Sequence, residues 1–290
     1  MENTTIKINL ETYESLGSLS FLSENIALST EGFGTFLEKV GTLFREKLSV
    51  VTNALGVSNS QSSKMGNTSS AYIEDLEKNK KNLIWVVNNI DYIVAKQARV
   101  MAPVGLKVDL IKAASELEDV IHDLQAKVHA SLDDLDVTIS SVLNYADYRT
   151  QSKPLKPNKD AIVYSEKFYS VLNRIVDTKK MEDTKLIKDL IPNISSLTKV
   201  YDIVIKCKNN VSEACLTELN ELIDNVYVKT QTLEKELEGD YTISKTVLNK
   251  LATDLENNAK LITVTMSVIY LFNQIVLCLN NLINKLINLK

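Results

Sequence analysis

The chain has 290 residues, 44% of them hydrophobic, 24% charged and 6% aromatic. These fractions exclude a disordered or collagen-like chain. A net charge of −4, with only four arginines (Arg45, Arg99, Arg149 and Arg174), argues against a nucleic-acid binder that works through bulk charge. Only 8 Gly and 4 Pro punctuate the chain, so long helices are expected.

Residues 1–31 form an acidic leader. Lys7 stands against Glu2, Glu11, Glu14, Glu24 and Glu31, and this segment holds all of the chain's excess negative charge. With no basic stretch ahead of an apolar core, it does not read as a secretory signal. Next, Phe33, Phe36, Leu37, Val40, Phe44, Leu48, Val51 and Leu55 recur at helical spacing, which predicts an amphipathic helix over 33–56. The Ser/Asn-rich run 57–70 reads as a loop. A helix is predicted from Ala71 to Met101, with Ser70 as N-cap and Pro103 as stop.

One long helical pattern then covers Val104 to Tyr148. Leu110, Ala114, Leu117, Ile121, Leu124 and Val128 alternate four and three apart. Leu132, Leu135, Ile139, Val142 and Ala146 resume the pattern after an extra four-residue step. This is a heptad seam with a stutter, as in coiled-coil-like helices. The run 150–159, with two prolines and three lysines, reads as a linker between 32–150 and a C-terminal helical bundle over 160–290. Helices are predicted there at 160–178, 183–191, 194–210 and 212–238, the last closed by Gly239, and from Ser244 onward. No strand alternation survives over a useful length. The fold class is all-α: an elongated helical bundle with long coiled-coil-like helices.

The last helix carries the most unusual stretch. Residues 261–284 contain no charge. Ile262, Ile269, Phe272, Val276, Leu279 and Ile283 belong to a regular seam. Leu261, Val264, Val268, Leu271, Ile275 and Leu282 form a second stripe beside it. A helix apolar on two faces is expected at the centre of a bundle or in an oligomer seam, with membrane contact as the alternative.

The chemistry-bearing residues form no recognisable constellation. His122 and His129 lie seven apart, two turns on one face. Glu118 and Asp133 could pair with them, but one metal cannot span that rise. Cys207, Cys215 and Cys278 are an odd set without CxxC, expected to be reduced, with Cys207 and Cys215 as small core residues. Asp133, Asp134 and Asp136 lack the Gly and closing Glu of a calcium loop. Gly32-Phe33-Gly34 follows no strand. No catalytic residue, cofactor or metal is expected.

The run ESLGSLSFLSENIALSTEGFGTFLEKVGTLF resembles the N-terminal regions of internal head and other virion proteins of large tailed bacteriophages. In those families a prohead maturation protease cuts after a Glu in a Leu/Ile-x-Glu or Ser/Ala-x-Glu context. The resemblance covers about the first 55 residues and rests on Leu22-Ser23-Glu24 and Ser29-Thr30-Glu31. It implies cleavage after Glu24 or Glu31 and loss of an acidic propeptide; removal of 1–31 would bring the net charge from −4 to zero. It further implies a non-enzymatic protein of the capsid interior, with the protease and other capsid or core proteins as partners and packaged DNA as a further contact. A membrane-active protein using 261–284, and a host-cytoplasmic helical scaffold or adaptor, are the alternatives. Homo-oligomerisation through either long seam is open in each case.

Overall fold

A computed structural model describes residues 11, 13 and 14, 68–150, 155, 160–180, 182–236 and 243–289. The described chain is all-α apart from one small antiparallel ribbon. Its axis is α10 (Lys245–Ile287), a 43-residue helix that spans about 64 Å at 1.5 Å per residue. Ser244 caps it, its side chain accepting from the Val247 amide at 3.3 Å. Both apolar stripes of α10 are buried from Leu251 to Leu286. Each such Leu, Ile or Phe stabilises the fold by roughly 1.5–3 kcal/mol relative to exposure.

The other elements wrap this axis. A helical run from residue 68 to 78 leads into α1 (Lys80–Asn89). Asp91 then caps the short α2 (Tyr92–Ala95), its carboxylate accepting from the Ile93 amide at 2.8 Å. The helix predicted from Ala71 to Met101 is thus broken at Ile90, whose backbone is extended, and its last three residues are a strand. This strand, β1 (Arg99–Met101), pairs with β2 (Thr184–Leu186): Arg99 faces Leu186, Val100 faces Lys185 and Met101 faces Thr184. The sequence reading missed both strands because three residues are too short to show alternation. The helix expected over 183–191 reduces to α7 (Ile187–Leu190) for the same reason.

The pattern over 104–148 resolves into α3 (Leu110–Asp123), a π-helical turn (Leu124–Val128) and α4 (His129–Asn144). The π-turn ends at Val128, directly before the four-residue step to Leu132 that makes the stutter. A wider turn takes up the residue that a regular helix would rotate off the seam. Every seam residue from Leu110 to Val142 is therefore buried, whereas Ala146, in α5 (Ala146–Arg149), is exposed.

Helix α6 (Asp160–Ile175) lies along α10. Helix α8 (Ser196–Cys207), followed by a 3-10 turn (Lys208–Val211), packs on α3, and α9 (Glu213–Glu236) packs on α4. The regions placed on either side of 150–159 therefore share one core rather than forming two, and its buried residues run from Ile73 to Leu286. Leu155 itself is buried, and its carbonyl accepts from Lys250 Nζ. Gly105 knots the two regions together, with φ +68°. Its carbonyl accepts from the Asp177 amide at 2.8 Å, and the Lys107 amide donates to Ile175 O at 2.8 Å.

Candidate functional site

The seam residues Ile262, Ile269, Phe272, Val276, Leu279 and Ile283 are each at most 1% exposed. Helix α10 is long and apolar enough to cross a membrane, yet 83% of its most apolar window is buried inside the fold. Some polar residues of α10 bond within the helix, Thr263 Oγ1 donating to the Ala259 carbonyl and Ser267 Oγ to the Thr263 carbonyl, while asparagines reach other helices. Ser131 Oγ on α4 donates to Asn258 Oδ1 at 2.9 Å, and Asn258 Nδ2 donates to the Asp254 carbonyl. Asn79 Nδ2 donates to Asn280 Oδ1 at 3.2 Å and to Asn284 Oδ1 at 3.0 Å. The buried Asn258 and Asn280 amides fix which helices meet and in what register. Asn273 differs: it is 3% exposed, and its Oδ1 meets no donor among the described residues.

The two histidines do not converge on a site. His122 is exposed, with Nε2 4.0 Å from Glu118 Oε1, which also lies 3.5 Å from Lys206 Nζ. This is a solvated charge cluster. His129 follows the π-turn and is half-buried. Burial pushes its pKa below the usual imidazole value, while Glu218 and Asp133 act in the other direction. Asp133 and Asp134 are exposed, and Asp136 accepts from Lys229 Nζ at 2.7 Å, joining α4 to α9. Among the described residues no three His, Cys, Asp or Glu side chains are placed to hold a metal ion.

Cys207, Cys215 and Cys278 are free thiols in the core. Burial pushes Cys207 and Cys278 up to about 12, and Cys215 is raised by burial and by Glu218. Thiols held protonated in this way are poor nucleophiles and poor metal ligands.

One open groove of about 480 Å³ lies where the end of α10 meets the corner between α1 and α2. Trp85, Ile90, Val94 and Leu289 supply apolar walls, and Asp91 a carboxylate already engaged as a helix cap. Ile93 and Val94 are each 71% exposed beside it. A groove of this size and lining suits an apolar side chain from a protein partner better than a polar metabolite. Sequence reasoning missed it because the break at Ile90, which turns Ile93 and Val94 outward, lies inside a continuous helical pattern.

Glu24 and Glu31, the expected cleavage positions, lie outside the described residues, as do the 33–56 helix, the Gly32–Gly34 motif and Gly239. Comparison with protein-family models, with curated proteins and with solved structures finds no significant match to this chain.

Proposed function

We propose that the chain is a non-enzymatic structural protein of a bacteriophage virion, packaged inside the capsid after its acidic leader is cut at Glu24 or Glu31. The observation that best supports this is the composition of the leader, which holds all of the chain's excess negative charge and both candidate cut positions. Among the described residues, the fully buried core draws only on Ile73 to Leu286, and the leader adds one partly buried ring, Tyr13. The leader's resemblance to processed virion proteins, and the neutral charge that a cut after Glu31 would leave, support the same reading.

The test is intact mass and N-terminal sequencing of the protein from purified particles. A new terminus at Asn25 or Gly32 is expected. An intact Met1 in particles, or the protein's absence from them, overturns the proposal.

The apolar groove supports a second reading, a scaffold that docks a partner protein at Trp85 and Val94. Val94→Asp would then abolish stoichiometric co-purification with a capsid or core protein while leaving helix content unchanged. Unaltered co-purification overturns it. Membrane insertion has less support, because a bilayer could reach the apolar stripes of α10 only if the surrounding helices opened.

A further inference from the structure

Helix α6 carries a contact from outside the bundle. The ring of Tyr13 lies flat on Tyr169, with centroids 4.4 Å apart and planes inclined by 14°. The Tyr169 hydroxyl donates to Glu14 Oε1 at 2.8 Å. Ser165, one turn before Tyr169, is buried, and its Oγ donates to the Ile162 carbonyl at 2.9 Å. Ser165 and Tyr169 are four residues apart, so they stack one turn above the other on one face of α6. Residues 11, 13 and 14 are helical. Tyr13 and Glu14 of the leader thus meet α6 through a ring stack and a hydrogen bond. Glu11 and Glu14 face solvent, while Tyr13 packs against the core.

We infer that the Ser165–Tyr169 face of α6 is a docking site whose occupant is the acidic aromatic turn Glu11–Glu14 of the chain's own leader, held only while the leader belongs to the same chain. The contact is small. A stacked aromatic pair with its hydrogen bond favours the docked form by roughly ten- to a hundredfold. Within one chain the two partners meet at an effective concentration on the order of millimolar, which makes such a contact sufficient. Once cut free, the leader peptide at micromolar concentration meets its site roughly a thousandfold less often, and the site empties. A cut after Glu24 or Glu31 would therefore release the acidic segment and uncover Tyr169. That last step rests on the trimming reading above, whereas the docking itself does not.

Limited digestion of the intact chain with a Glu-specific protease, read by intact mass, tests the docking. A protease must unfold several residues around its cut, so docking protects the bond after Glu14. Tyr169→Ala is expected to speed that cut about tenfold. Tyr169→Phe keeps the stack and loses the bond to Glu14, so about threefold is expected. Cleavage after Glu236, remote in sequence and solvent-exposed, serves as the control and should not change. If Tyr169→Ala fails to fold, Tyr13→Ala removes the same stack from the other side. Equal rates at Glu14 in a folded variant overturn the docking.

Gel filtration of wild-type chains cut after Glu24 or Glu31, with Glu14 intact, tests the dependence on the tether. Separation of the leader is expected, and co-elution overturns that part. Neither result bears on which terminus occurs in particles, so the docking and the trimming fail separately.

Discussion

Replacing Gly105 with Ala should destabilise the fold by about 3 kcal/mol, a figure built from three effects. An L-residue at φ +68° bears a left-handed backbone cost of about 1–2 kcal/mol. Gly→Ala regains about 0.4–1 kcal/mol through the stiffer unfolded chain. The larger effect is steric: the new Cβ would sit 2.2 Å from the Asp177 carbonyl oxygen, which is backbone and has no rotamer to move. To relieve that contact, the end of α6 must shift away from the 102–107 loop. This would break the Asp177-to-Gly105 and Lys107-to-Ile175 hydrogen bonds, at about 1 kcal/mol each. Far-UV circular dichroism on heating reads the outcome. At about 2–4 °C per kcal/mol for a chain of this class, the midpoint should fall by about 6 °C or more. Gly105→Asn separates the causes, since Asn tolerates positive φ but still carries a Cβ. It should remain well below the wild type. A midpoint within about 2 °C of wild type for either variant would refute the close approach as its cause.

Three other outcomes are expected. Asn273→Leu should raise stability by about 1 kcal/mol, because it removes a buried acceptor that meets no donor among the described residues; a lowered urea midpoint would count against that account. His129 is held below its ordinary pKa, so the folded state binds fewer protons there than the unfolded chain. Its contribution is complete above the unfolded value of about 6.5 and is lost as pH falls through the lowered folded value. Urea midpoints measured across that window should fall less for His129→Gln than for wild type, and parallel profiles would refute the assignment. With Cys207 and Cys278 pushed up to about 12 and all three thiols buried, a disulfide-exchange reagent at neutral pH should modify none of them until denaturant is added. Rapid labelling of folded protein would sink that expectation.

The parts of the fold that the sequence disclosed are those where one rule acts over many residues. The doubled apolar stripe on α10 pointed to a helix covered on both faces, and the heptad seam of 104–148 to a helical face buried along its length, though not to the π-turn just before its stutter. What escaped is set by tertiary contact. The ribbon between Arg99–Met101 and Thr184–Leu186 joins segments 85 residues apart, each too short to show a period. Asp91 interrupts a helical pattern that is otherwise continuous, and that single cap creates the groove at Trp85 and Val94. The boundary placed at 150–159 followed composition, yet α9 packs on α4 and α8 on α3 across it. Nothing around Tyr13 or Tyr169 signalled the stack between them, because two tyrosines 156 positions apart carry no local pattern.

The placement of the axis bears on how the protein is made. Helix α10 follows every other described element, yet it supplies the surface on which α1, α3, α4 and α6 pack. On a ribosome adding 5–20 residues per second, roughly 10–45 s separate the appearance of residue 68 from that of Ile287. For roughly 7–29 s of it, from Val142 to Ile287, the finished seam of α3 and α4 has no α10 to cover it. Translation therefore yields a nascent intermediate with a long apolar trough. That trough stays open to neighbouring chains on the same message until residues 245–287 emerge and fill it.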